Sequence, residues 1–131
     1  MTDTNIPCEQ TFMLTQADFD RFARLSGDHN PIHVDSEFSA RTSFGRTVSH
    51  GMLLFSVVRS LLARTWPGAV LESQDLMFPS PAYAGEALEL TVEQLDHNGP
   101  TLTLLTTITR EDGETCLTGR CQLTLSREDA A

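Results

Sequence analysis

The residues best suited to proton transfer cluster between positions 25 and 51, in the stretch LSGDHNPIHVDSEFSARTSFGRTVSHG. Asp28 and His33 stand five positions apart in it, separated by Asn30 and Pro31. Carboxylate and imidazole groups are common general acids and bases, and each typically contributes about 10²–10⁴-fold to a rate. Pro31 stiffens the intervening loop because its ring fixes the backbone. We therefore expect the loop to hold both groups around one water molecule.

A third chemical component is the backbone of Gly51, which begins the apolar segment GMLLFSVVRSLLAR. The first N–H groups of a helix have no intrahelical partner, and that end of the helix is partly positive. Such an amide can stabilise negative charge developing on a carbonyl oxygen, and one donor is typically worth about 10²–10³-fold in rate. Alternatively, Gly51 only allows close packing and Ser49 only caps the helix.

Structural alternatives exist for the acidic and imidazole groups as well. Asp28 could accept backbone N–H groups in an Asx turn. His33 could be a satisfied polar residue, and His50 could serve only to position the turn before the helix. We expect His29 to face solvent.

Arg41 and Arg46 follow the acidic loop and could bind phosphates. We expect them instead to pair with Asp35 and Glu37, which are close in sequence.

The charge balance narrows the possible functions. The 131 residues carry a formal net charge of −9, which argues against nucleic-acid binding. All nine basic residues are arginines, which excludes a Schiff-base or P-loop lysine. At this length we expect one domain, spanning residues 1–131.

The sequence indicates neither a metal site nor a membrane segment. The three cysteines are widely spread, and Cys116 and Cys121 should point to opposite faces of a strand. No His/Cys set has the usual ligand spacing, so we expect no metal and no cofactor. The first residues lack signal-peptide features and no apolar run could span a bilayer. We therefore expect a cytoplasmic protein.

Hydrophobic periodicity predicts the elements that position these groups. Thr15 and Asp18 resemble a capping box before a first helix that ends at Gly27. A short helix should follow Asp35, and a long, buried one should span residues 51–64. Strands are predicted at 10–14, 70–78, 87–95, 101–109 and 115–125, followed by a frayed tail at 126–131. This order indicates an α+β fold, with a meander-like antiparallel sheet of about five strands around the long helix.

The stretch from Phe22 to Val58 resembles the MaoC-type dehydratases and R-specific enoyl-CoA hydratases. Their signature F-A-x-L-S-G-D-x-N-P-I-H-x-D is matched by residues 22–35, and their later F-x-x-x-x-x-H-G-M-L is matched by Phe44 and residues 50–53. The resemblance is dense in this stretch, and elsewhere only the strand pattern and the length agree with it.

This resemblance implies a hot-dog fold whose central helix is residues 51–64, assembled as a homodimer or a dimer of dimers. It implies reversible syn hydration of a trans-2-enoyl-CoA, or of the acyl-carrier-protein thioester, to the (R)-3-hydroxyacyl product. Asp28 and His33 would activate water and the Gly51 N–H would polarise the thioester carbonyl, with Asn30 and His50 in support. The acyl group would be bound by the following residues: Phe44, Met52, Phe55 and Arg59.

One position departs from the family pattern. Arg59 stands where R-specific hydratases that serve polyester synthesis carry a serine on the central helix. A different acyl preference is one consequence that we expect.

Two other functions share the implied fold. A hot-dog thioesterase would need a carboxylate on the central helix, where residues 51–64 have none. A non-catalytic acyl-CoA-binding module would need neither Asp28 nor His33.

Overall fold

An apolar helix lies against a five-stranded antiparallel sheet in the computed structural model, which describes residues 8–130. The elements in chain order are β1 (Cys8–Met13), α1 (Gln16–Ser26), α2 (Pro31–Val34), α3 (Ser36–Ala40), α4 (Gly51–Thr65), β2 (Val70–Gln74), β3 (Ala87–Asn98), β4 (Thr101–Arg110), β5 (Thr115–Thr124) and α5 (Arg127–Ala130). The strands lie in the order β1-β3-β4-β5-β2. The predicted α+β class and central helix are confirmed. None of the helices between residues 8 and 130 is long and apolar enough to cross a membrane.

Local signals determine where the loop between α1 and α2 begins. Thr15 caps α1 in a reciprocal capping box, in which the Thr15 N–H donates to Asp18 at 2.8 Å. Gly27 ends the helix with φ of 79°, a left-handed conformation that glycine adopts without steric cost. The chain therefore leaves α1 at a defined angle immediately before Asp28.

The helix α4 packs one face into the core rather than all faces. Its buried residues recur at helical spacing: Leu54, Val58, Leu61 and Leu62. They belong to the same cluster as the inward side chains of the sheet, among them Leu90, Leu104 and Leu117. Met52, in contrast, is 54% exposed. The prediction of a helix buried on nearly every side is therefore wrong for the isolated chain.

The sheet is a meander only from β3 to β5, because β2 pairs with β5 at one edge. This strand also ends at Gln74, four residues before the predicted end. The chain then makes an isolated bridge at Met77 and reaches Pro79 and Pro81. Proline has no N–H to donate to a ladder, so the segment leaves the sheet and forms a wall of the cavity described below.

The predicted frayed tail is also corrected. Residues Arg127–Ala130 form α5, and the Asp129 N–H donates to Ser126 Oγ at 3.1 Å. This hydrogen bond caps the turn, as a serine at a helix start commonly does. Residue 131 lies outside the described residues.

Candidate active site

A cavity of about 610 Å³ opens where the N-terminus of α4 meets the loop between α1 and α2. Asp28, His33, His50 and Gly51 all line it. The structure thus brings the predicted acid-base residues and the predicted amide donor to one space. The apolar part of the lining offers room for an acyl chain beside them.

Both oxygens of the Asp28 carboxylate have assigned neighbours. Oδ1 accepts the Asn30 N–H at 3.2 Å, while Asn30 in turn accepts the Ile32 N–H and caps α2. Asn30 is extended, with ψ of 130°, as expected for a residue before proline. The Asx-turn interpretation of Asp28 is therefore correct for Oδ1. The hydrogen bond to Oδ1 leaves Oδ2 facing His33.

His33 is held in one orientation by the backbone. Its Nδ1 lies 2.8 Å from the Val48 carbonyl oxygen, and the residue is only 8% exposed. A carbonyl can only accept, so Nδ1 carries the hydrogen and Nε2 is left for proton exchange. Nε2 lies 3.7 Å from Asp28 Oδ2. That distance is too long for a direct hydrogen bond, and a water molecule beside the two atoms can reach both of them.

The segment that holds His33 is itself fixed on both sides. The Val48 N–H donates to the Ile32 carbonyl at 2.9 Å, and the Ser49 N–H donates to the Ala82 carbonyl at 2.8 Å. The carbonyl that orients His33 therefore belongs to a strand-like segment anchored to two other parts of the chain.

His50 is buried beside this pair, at 2% exposure. Its Nε2 donates to the Asp28 carbonyl oxygen at 3.0 Å, and its ring stacks on His33 with centroids 3.8 Å apart. Burial lowers the pKa of His50, although the bond to the Asp28 carbonyl opposes the shift. His50 Nδ1 has no hydrogen-bond partner among the described residues. Burial therefore favours the neutral form of this ring.

The acid-base pair and His50 could also offer ligands to a metal ion. Asp28, His33 and His50 each place one ligand atom within 4.8 Å of the others. The two imidazole rings are stacked with their planes only 23° apart, so their lone pairs lie in two separate, nearly parallel planes. One ion about 2.1 Å from both nitrogens would require the stacked rings to splay apart. This arrangement does not favour a metal.

Gly51 begins α4 and has no side chain between its amide and the cavity. The helix start lacks a side-chain cap, so its first N–H groups are not occupied by one. The Phe78 ring lies close over this residue, and a Cβ built on Gly51 would come within 2.8 Å of Phe78 Cζ. A side chain at position 51 would therefore push the ring back, and glycine allows it to cover the helix start closely.

The wall formed by residues 78–82 was missed by the sequence interpretation, which extended a strand to position 78. Arg110 Nη1 donates to the Pro81 carbonyl at 2.9 Å, and Asp112 holds the guanidinium of Arg110. Cys116 also lines the cavity, and burial raises its pKa to about 11. The two prolines flanking Ser80 were the available sign that this segment is not a strand.

The remaining predicted residues divide into two groups. Phe44 and Met52 line the cavity, whereas Phe55 and Arg59 are not among its lining residues. Arg59 lies near Cys121 instead. His29 is exposed, as expected.

The arginine pairing was predicted wrongly. Arg46 pairs with Glu86 and lies over the Tyr83 ring, whereas Asp35 caps α3. Arg41 makes no ion pair within residues 8–130. The long-range partner Glu86 could not be read from sequence proximity.

Comparison with known proteins identifies the family. Residues 2–112 match the family described as MaoC like domain, which is most of the chain. The chain belongs to this family. Its MaoC-like fold is also that of an (R)-hydratase of A. caviae, with a TM-score of 0.88 and 32% identity over 95% of this chain and 98% of that one. An R-hydratase from Pseudomonas aeruginosa gives a TM-score of 0.86 at 26% identity, covering 95% and 82%.

Curated relatives agree with the family assignment. An (R)-specific enoyl-CoA hydratase of Aeromonas caviae is 38% identical over 108 residues, which are 79% of this MaoC-like chain and 81% of that enzyme. A 3-hydroxybutyryl-CoA dehydratase of Methylorubrum extorquens is 38% identical over 82 residues, which are 61% of this chain and 52% of that protein. The match thus spans about half the length of the second relative.

Proposed function

We propose that this MaoC-like protein is an R-specific enoyl-CoA hydratase, a hydro-lyase that adds water reversibly to a trans-2-enoyl thioester. The observation that carries the proposal is the 3.7 Å gap between His33 Nε2 and Asp28 Oδ2 inside an acyl-sized cavity. Two proton-exchanging groups on one side of a bound substrate deliver the hydroxyl and the proton to the same face. That geometry accounts for syn addition.

Each group has a defined share in the step. A water held between Asp28 and His33 attacks the β-carbon while one of the two groups takes its proton. The pair returns a proton to the α-carbon, so atoms and charge balance over the cycle. The Gly51 N–H would donate to the thioester oxygen as the enolate forms. No cofactor is required for these steps.

The experiment is to follow the loss of the conjugated enoyl-thioester absorbance of crotonyl-CoA. Asp28→Asn and His33→Ala should each lower kcat by at least about 10²-fold, because each removes one acid-base group. The exposed residues Asp96 and His97 offer matched controls, and Asp96→Asn and His97→Ala should retain wild-type rates. Unchanged absorbance with several chain lengths would reject the proposal.

Release of free CoA thiol in the same assay would indicate a thioesterase. The central helix α4 contains no carboxylate that could serve such a reaction. Acyl-CoA binding without turnover would indicate the binding module instead. To learn which carrier the enzyme prefers, kcat/KM is compared for the same acyl group attached to CoA and to an acyl-carrier protein.

We further propose that the protein forms a homodimer. The edge strand β2 and the adjoining segment expose several apolar side chains, including Val70 at 57%, Met77 at 64% and Phe78 at 44%. An unpaired strand edge with apolar neighbours suits a second copy of the chain. Light scattering should give twice the 14.5 kDa chain mass. The single domain, the cytoplasmic location and the acyl contacts of Phe55 and Arg59 stay predictions.

A further inference from the structure

His50 lines the cavity and contacts both members of the acid-base pair. Its Nε2–H donates to the backbone carbonyl of Asp28 at 3.0 Å. Its ring stacks on the His33 ring at a centroid distance of 3.8 Å and an interplanar angle of 23°. A residue that serves only to turn the chain before α4 would need neither contact.

The two contacts restrain different parts of the site, the Asp28 backbone and the His33 ring. The hydrogen bond holds the backbone of Asp28, whose carboxylate is 53% exposed. The stack restricts tilting of the His33 ring about its anchored Nδ1, and so sets where Nε2 points. Together they set the separation of the two atoms that one bridging water must reach.

The aromatic neighbours of His50 hold its ring from the side away from His33. Phe22 lies 4.8 Å from the His50 centroid in a tilted contact, and Phe19 lies 6.5 Å away in an edge contact. The titratable groups that face His50 are Asp28, His33 and His29. These contacts hold the His50 ring in place beside the acid-base pair.

We propose that His50 is a positioning residue that sets the separation of Asp28 and His33. The inference rests on the proposed hydratase function. His50 does not touch the reacting atoms in this role, so its removal should lower turnover without weakening substrate binding.

Three substitutions separate the two contacts. His50→Phe keeps a ring that can stack but loses the Nε2–H donor, and His50→Gln keeps a donor near that position but loses the ring. His50→Ala loses both. His97→Ala serves as the control for loss of a histidine, because His97 is exposed on β3.

Crotonyl-CoA hydration should respond in kcat. A displacement of about 1 Å in a reacting geometry can cost about 10²-fold, so we expect about 100-fold loss for His50→Ala and about tenfold for His50→Phe and His50→Gln. KM should stay within about threefold of wild type. Thermal melting identifies any variant that fails to fold. If His50→Ala fails to fold, His50→Phe and His50→Gln still test the proposal.

A second readout does not depend on turnover. Imidazole ¹⁵N NMR of the wild-type protein should show His33 protonated at Nδ1, and its signals should move in His50→Phe and His50→Gln but not in His97→Ala. Wild-type kcat in folded His50 variants, or a raised KM with unchanged kcat, would overturn the positioning role alone. A wild-type protein that does not hydrate enoyl thioesters would instead overturn the proposed function, and the role with it.

Discussion

The amide of Gly51 can be removed without removing the helix that carries it. Proline is favoured at the first position of a helix, where its missing N–H has no intrahelical partner. The residue before proline must be extended, and His50 already has φ of −60° and ψ of 139°. Gly51→Pro therefore deletes the donor in a backbone suited to proline, while Gly51→Ala keeps the donor and adds only a Cβ.

The two variants share one steric change. A Cβ on Gly51 lies 2.8 Å from Phe78 Cζ, and ordinary contact begins near 3.4 Å, so the ring must retreat by about 0.6 Å. Phe78 is 44% exposed and can move, so we expect folding to survive. This shift should cost Gly51→Ala up to about 10²-fold in kcat/KM. Loss of the donor should cost Gly51→Pro a further factor of about 10²–10³.

The assay is crotonyl-CoA hydration by both variants, each also in a Phe78→Leu background. The smaller side chain should restore part of the activity lost in Gly51→Ala but little of that lost in Gly51→Pro. Activities of Gly51→Pro and Gly51→Ala within tenfold of each other would refute the assignment of this amide as the carbonyl donor. Wild-type activity in Gly51→Ala would refute the argument from close packing.

Three further predictions concern stability and reactivity. Burial lowers the pKa of His50, so the unfolded chain binds a proton at this residue more readily than the folded one. The unfolding free energy should therefore fall as the pH drops below about 6.5, by up to about 1.4 kcal/mol per pH unit. Urea titrations at several pH values should show a shallower fall for His50→Phe than for the wild type. Thr15→Ala removes the cap of α1 and should lower the unfolding free energy by about 0.5–2 kcal/mol, whereas no change in the urea midpoint would contradict the capping role. Because the pKa of Cys116 is raised to about 11, mass spectrometry should find it alkylated by iodoacetamide at pH 8 far more slowly than a peptide thiol.

Local signals in the sequence located most elements because each depends on nearby residues. Thr15 with Asp18, Gly27, and Asp35 before α3 all form the predicted caps. The end of β2 was missed because the apolar residues up to Phe78 resemble a strand, whereas pairing with β5 and the prolines beyond decide where the ladder stops. Sheet order is likewise a long-range property that alternation alone does not specify.

The same distinction applies to the site. Asp28, His33 and Gly51 were predicted as a group, and they do meet at one cavity. Glu86, which pairs with Arg46, lies 40 positions after it in the chain, and Phe78, which covers Gly51, lies 27 positions after it. Sequence spacing gives no guide to contacts at such separations. From the sequence, His50 was interpreted as a residue that positions the turn, or as a supporting residue by resemblance. Its contacts with Asp28 and His33 appear only when the two loops are packed together.

The bond between His33 Nδ1 and the Val48 carbonyl has a consequence for how this site tolerates mutation. The group that selects the tautomer is a peptide oxygen, which is present whatever side chain occupies position 48. Substitution there can change packing but cannot delete the acceptor. The tautomer of His33 is thus determined by the backbone conformation around Val48 and not by the side chain at that position. Anyone transplanting the Asp-His pair into another scaffold would have to copy that path as well as the two side chains.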